Sequence, residues 1–225
     1  MKRPIHGRAP RISGPGGGQV PSGTVTKGRV EAFSDGVIAI LITIMVLGLQ
    51  TPKGTTWSSL RPDLASLLTY ALSFVYLGIY WNNHHHMLAA VSRVSGGALW
   101  ANLHLLFWLS LVPFSTSWVS RSRFAGTPMV LYGLILLAAA IAYYLLQSAL
   151  LRAEGDDSRL RRAIGRDVKG KISPLLYCLG IGLTFASRWF GLALYVLVAL
   201  IWLVPDRRVE RQFTKTSDAS DAEVA

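Results

Sequence analysis

Of the 225 residues, 51% are hydrophobic and only 16% charged, where a soluble domain would carry about a quarter charged residues, and mean hydropathy is +0.38. The formal net charge of +11 is concentrated between apolar runs and at the two ends, with none of the basic motifs and interleaved aromatics of a nucleic-acid interface. This distribution suits membrane topology and attraction to a bilayer with anionic headgroups, and the single cysteine, Cys178, excludes an intrachain disulfide.

Residues 1–27 are rich in Gly, Pro, Ser and basic residues and read as a disordered tail. No apolar h-region follows the first basic residues, so a cleavable signal peptide is not expected. Six apolar stretches follow. The first runs from about Phe33 to Leu49 and is stopped by Gln50, Thr51 and Pro52. The second spans about Leu64 to Trp81 and passes into the polar tract Asn82-Asn83-His84-His85-His86. The third covers roughly Ala98 to Val119, interrupted by Pro113, and the fourth Met129 to Leu151. The last two are about Pro174 to Ala186 and Trp189 to Val204. A helix rises ~1.5 Å per residue and the hydrocarbon core is ~30 Å thick, so ~17–25 residues can cross. Five stretches fit that length, and the fifth needs residues on either side. Cys178, inside the fifth, reads as a small buried hydrophobe.

The reading is an all-α integral membrane protein with six transmembrane helices, over residues 28–206, followed by a polar C-terminal tail at 207–225. With an inside N-terminus, 18 Lys and Arg fall on the inner side and five on the outer. The positive-inside rule therefore predicts cytoplasmic termini. The basic loop Arg159-Leu160-Arg161-Arg162-Ala163-Ile164-Gly165-Arg166 reads as a headgroup-facing surface.

The first stretch carries the most unusual chemistry. Ser34 or Asp35 can cap a helix N-terminus, where the dipole favours negative charge. A carboxylate following Phe33 at headgroup depth nevertheless needs a partner. Gly36, Ile40, Thr43 and Leu47 are spaced 4, 3 and 4, one narrow stripe of a helix. Such a stripe serves close helix packing. In a symmetric oligomer it equally gives stacked rings around a pore, with a hydroxyl ring between two apolar constrictions.

Arg29-xxx-Phe33-Ser34-Asp35-Gly36-Val37-x-Ala39-Ile40-xx-Thr43-Ile44-xx-Leu47 resembles the helix 1 signature of the endolysosomal potassium channel family, transmembrane protein 175, and its bacterial relatives. The layout of short loops and a Trp/Asn/His-rich end to the second stretch is similar too. The resemblance implies a homotetramer of six-helix units conducting K+ through a pore lined by the first helix, without a re-entrant filter loop and without a cofactor. By that likeness Ile40 is the narrow hydrophobic gate, Thr43 the polar ring where permeant K+ would pass, and Leu47 the next apolar ring. Arg29, Phe33, Ser34 and Asp35 would hold the cytoplasmic end of the helix in a hydrogen-bonded network. The expectation is modest preference for K+ over Na+, with room for a proton leak. No helix carries the regular arginines of a voltage sensor.

Three adjacent histidines on a helix point ~100° apart, so His84, His85 and His86 cannot all reach one ion, and no metal site is expected there. Trp81, Asn82, His84 and His85 are instead candidate partners of the signature. His104 reads as a packed, hydrogen-bonded histidine. Motifs of hydrolases and nucleotide-binding enzymes are lacking, and no enzyme is expected. The rival readings are a secondary transporter, which would show repeats and paired broken helices, and a non-conducting membrane scaffold.

Overall fold

The computed structural model describes residues 27–155, 160–161 and 168–203. Both expected tails and most of the basic 159–166 loop lie outside the described residues. Among the described residues seven helices carry the fold: α1 (Lys27–Ile44), α2 (Leu64–Ala89), α3 (Gly96–Ser110), α4 (Val112–Arg121), α5 (Gly126–Glu154), α6 (Val168–Ala186) and α7 (Arg188–Leu203). A 3-10 turn, Met45–Gly48, prolongs α1, and another, Trp57–Asp63, leads into α2.

Among the described residues four segments are long and apolar enough to cross a bilayer: Lys27–Gly48, Trp57–Ala89, Gly96–Arg121 and Gly126–Glu154. The third contains both α3 and α4. They meet at Leu111, just before Pro113, whose ring nitrogen has no hydrogen to continue the ladder. Ser95 caps α3 by accepting from the Ala98 amide at 3.2 Å. Gly155, at φ 91°, ends α5 in a conformation that penalises a side chain.

As the sequence reading had it, the second apolar stretch passes into the Asn/His tract without leaving the helix, which ends at Ala89. His84 and His85 find partners on neighbouring helices and Asn83 bonds within its own, so the polarity of the tract does not stop the backbone. The fifth stretch is also longer than its apolar core, because α6 begins at Val168 and takes in Lys169, Lys171 and Pro174. Cys178 on it is exposed, which corrects the expectation of a buried thiol.

Helix α5 is the hub and packs against α3, α4, α6 and α7, while α1 leans on α2 and α3. In a bilayer, lipid tails are as apolar as leucine, so close fit and polar contacts between helices hold the bundle. Ser73 of α2 bonds Thr116 of α4 at 2.6 Å and Tyr132 of α5 at 3.0 Å. Tyr76 donates to the Tyr195 carbonyl of α7, and Tyr195 donates to the Met129 carbonyl of α5 at 3.3 Å. Where the α2–α3 loop turns, the Glu154 carboxylate accepts from the Ser92 amide at 2.7 Å, the Ser92 hydroxyl at 2.8 Å and the Arg93 amide at 3.1 Å. This pins the loop to the end of α5.

Helices α6 and α7 approach closely because Gly191 faces Thr184 and the Gly180 carbonyl; any Cβ there would run into both. Gly191→Val is therefore expected to lower the thermal midpoint of the purified protein sharply. Gly182→Val, where nothing lies within reach of a Cβ, is the control. Equal losses from the two would overturn this account of the hairpin.

Candidate functional site

The two sides of α1 have different surroundings. Val30, Ser34, Ile38, Leu41 and Met45 are buried against the bundle, Ile38 completely. Gly36, Ile40, Thr43 and Leu47 all lie on the open side, with Ile40 62% and Leu47 79% exposed. No packing among the described residues therefore explains the 4-3-4 stripe. The Thr43 hydroxyl directs its hydrogen back to the Ala39 and Ile40 carbonyls, both at 3.0 Å. Leu47 stands on the 3-10 turn, closed by a bond from the Leu49 amide to the Val46 carbonyl at 3.0 Å.

Behind the start of α1 lies a chain of buried hydrogen bonds. Ser34 donates to the Val30 carbonyl at 2.8 Å and accepts from the Asn102 amide group at 2.9 Å. The Asn102 carbonyl oxygen then faces His84 Nε2 at 2.7 Å. That oxygen can only accept, so Nε2 carries the proton. Ser34 and His84 are wholly buried and Asn102 nearly so. His84 Nδ1 has no hydrogen-bond partner among the described residues. Three helices, α1, α2 and α3, are joined by this one relay.

Alongside it, on a more open flank, Trp81 Nε1 donates to Asp35 at 3.0 Å. His85 Nδ1 meets the Glu31 carboxylate at 3.1 Å. The structure thus brings Ser34, Asp35, Trp81, His84 and His85 together. The three histidines diverge as helical geometry requires: His84 faces α3 and His85 faces α1. Asn82, Arg29 and Phe33 are exposed, and no hydrogen bond or ion pair joins Asn82 or Arg29 to the described residues. His104 is exposed and accepts from Trp108 at 2.9 Å.

Sequence reasoning passed over Asn102 and Glu31. Asn102 lies 68 residues from Ser34, and a lone amide in an apolar helix was its only signal. Glu31 stands inside the signature, four residues before Asp35, which places both on one helix face.

A family model described as the endosomal/lysosomal potassium channel TMEM175 matches residues 29–113, the part of the chain that holds every residue of this site. A potassium channel of a Chryseobacterium species is 53% identical over 187 residues, covering 83% of this chain and 97% of that protein. One from Streptomyces collinus is 34% identical over 186 residues, covering 78% and 90%. The crystal structure of a lysosomal potassium-selective channel TMEM175 homolog from Chamaesiphon minutus superposes with a TM-score of 0.67 at 30% identity, over 79% of this chain and 96% of that one. With the helices long enough to span a bilayer, these likenesses establish that the chain is a multi-pass membrane protein belonging to the TMEM175 potassium channel family.

Proposed function

We propose that this protein is a potassium channel of the cell membrane, a homotetramer of six-helix subunits in which α1 lines the pore. The observation that carries this reading is the open stripe of α1, an apolar and hydroxylated face that the subunit does not cover, in a chain 53% identical to a potassium channel. Around a fourfold axis, Ile40 forms the hydrophobic gate, Thr43 a ring of oxygen acceptors and Leu47 a second apolar ring. A single oxygen ring replaces less of the hydration shell than a dense carbonyl filter does. K+ is then preferred over Na+ without excluding it, and a proton leak is compatible with the same path.

In this reading α6 and α7 complete the six crossings, both termini are cytoplasmic, and the relay sits at the cytoplasmic end of α1. Phe33 and Arg29, open in one subunit, face neighbouring copies or headgroups there. The reconstituted protein is expected to give large, passive, non-saturating K+ flux into liposomes at two imposed voltages. Saturable, gradient-coupled flux would make it a transporter, and no flux a scaffold. Topology is tested separately on a Cys178→Ser background, since Cys178 is itself exposed. Cysteines introduced after Gln50 and after Ala186 are expected to react with external reagent in whole cells. Labelling only from the inside would overturn the 18-to-5 assignment.

A further inference from the structure

The flank of α1 turned toward α2 holds a cluster the channel reading does not use. Glu31, Asp35 and His85 each offer one ligand atom, and the three atoms lie within 4.8 Å of one another. The sequence reading expected no metal because the three histidines diverge around their helix, and along the chain no carboxylate joins them. Folding brings two there, one helical turn apart on α1 and opposite His85. The cluster is already oriented from behind: Trp81 donates to one Asp35 oxygen at 3.0 Å, and its ring stacks on His85 at 6.1 Å and 25°. The His85 side chain is 45% exposed and that of Glu31 23%, so an ion can reach them and solvent can complete its coordination.

We propose that Glu31, Asp35 and His85 form a binding site for a first-row divalent cation, zinc above all, that fastens α1 to α2. Two carboxylates and a neutral imidazole bring two negative charges, matching the ion at a membrane edge where unbalanced charge is costly. One nitrogen and two carboxylate ligands with a position left for water is a donor set suited to Zn2+. Mg2+ and Ca2+ favour all-oxygen sites with more ligands. The Trp81–Asp35 bond plays the part of the outer hydrogen bonds that aim metal ligands. The ion displaces the His85–Glu31 contact and replaces it with a bridge between the two helices. The relay through Ser34, Asn102 and His84 is not involved.

The site is tested on the full-length protein in detergent, stripped with chelator and titrated with zinc alone by calorimetry. About one zinc per chain is expected, with a rise in thermal midpoint that Mg2+ and Ca2+ do not produce. Substituted Co2+ is expected to give the visible absorption of a low-coordinate N/O site. Glu31→Gln and His85→Ala should each weaken zinc more than about tenfold and abolish its thermal shift, while His86→Ala keeps both. Should either variant fail to fold, the other and the Co2+ spectrum decide. No stoichiometric zinc on the wild type, unchanged affinity in His85→Ala, or loss in His86→Ala would overturn the proposal. None of these readouts depends on whether the protein conducts.

Discussion

Exchanging Ile40 for asparagine is expected to raise potassium conductance about tenfold, the effect of removing about 1.4 kcal/mol from the barrier to permeation. Four branched side chains at a constriction exclude water, and an ion crossing them must shed hydration without compensation. An amide in each ring lets water persist and flattens that barrier, at the expense of discrimination. The decisive comparison is with Ile38, two residues away and wholly buried. Ile38→Asn places an amide inside the bundle, so its damage should appear as lost folding yield and thermal stability, not as altered permeation. Thr43→Val removes the hydroxyl oxygen while keeping the shape, and should lower K+ over Na+ preference with current retained. Planar-bilayer recordings under bi-ionic conditions read both quantities. Equal permeation changes from Ile38 and Ile40 substitutions would falsify the pore assignment.

Asn102→Ala should destabilise the protein more than any other single polar substitution in the relay. Asn102 bridges two buried groups, and its loss strands His84 Nε2 and takes from Ser34 the donor it accepts from, leaving Ser34 only its bond to the Val30 carbonyl. Each orphaned buried group costs about 1–3 kcal/mol, and the protonated Nε2 has no other acceptor in reach of the relay. Ser34→Ala strands only the Asn102 amide, so its effect should be smaller. Asn82→Ala, at an exposed position two residues before His84, supplies the control. Thermal unfolding followed by size exclusion in mild detergent ranks the three. A drop for Asn102→Ala no larger than for Asn82→Ala would mean that the relay does not hold the helices together.

Much of this was legible in the sequence because bilayer thickness constrains helix length so tightly. The first four apolar stretches lie in segments long and apolar enough to cross, and Pro113 marked the break that separates α3 from α4. The outward stripe was legible as a spacing, but not as a direction. Only the packing of Ile38 and Leu41 against the bundle fixes which side of α1 is left open. The Asn/His tract was legible as the polar end of α2, but most of its partners on other helices were not. His84 meets Asn102 and His85 meets Glu31 on neighbouring helices, while Asn83 donates to the Ile79 carbonyl of its own helix at 2.8 Å. Cys178 went astray for a related reason. An apolar neighbourhood in sequence does not distinguish a side facing other helices from one facing outward.

The division of α1 into a buried side and an open one also bears on how such proteins diversify. Most substitutions fail by eroding stability, which leaves little margin for new properties. Residues 36, 40, 43 and 47 touch almost none of the contacts that fold their own subunit, so changes there are largely released from that penalty. With the proposed pore on that side, descendants would retune what passes and how fast while Val30, Ser34, Ile38 and Leu41 keep the helix seated. A scaffold of this kind separates inheritance of form from exploration of permeability, and lineages that share it can diverge in their preferred ion without first acquiring compensating changes in the bundle.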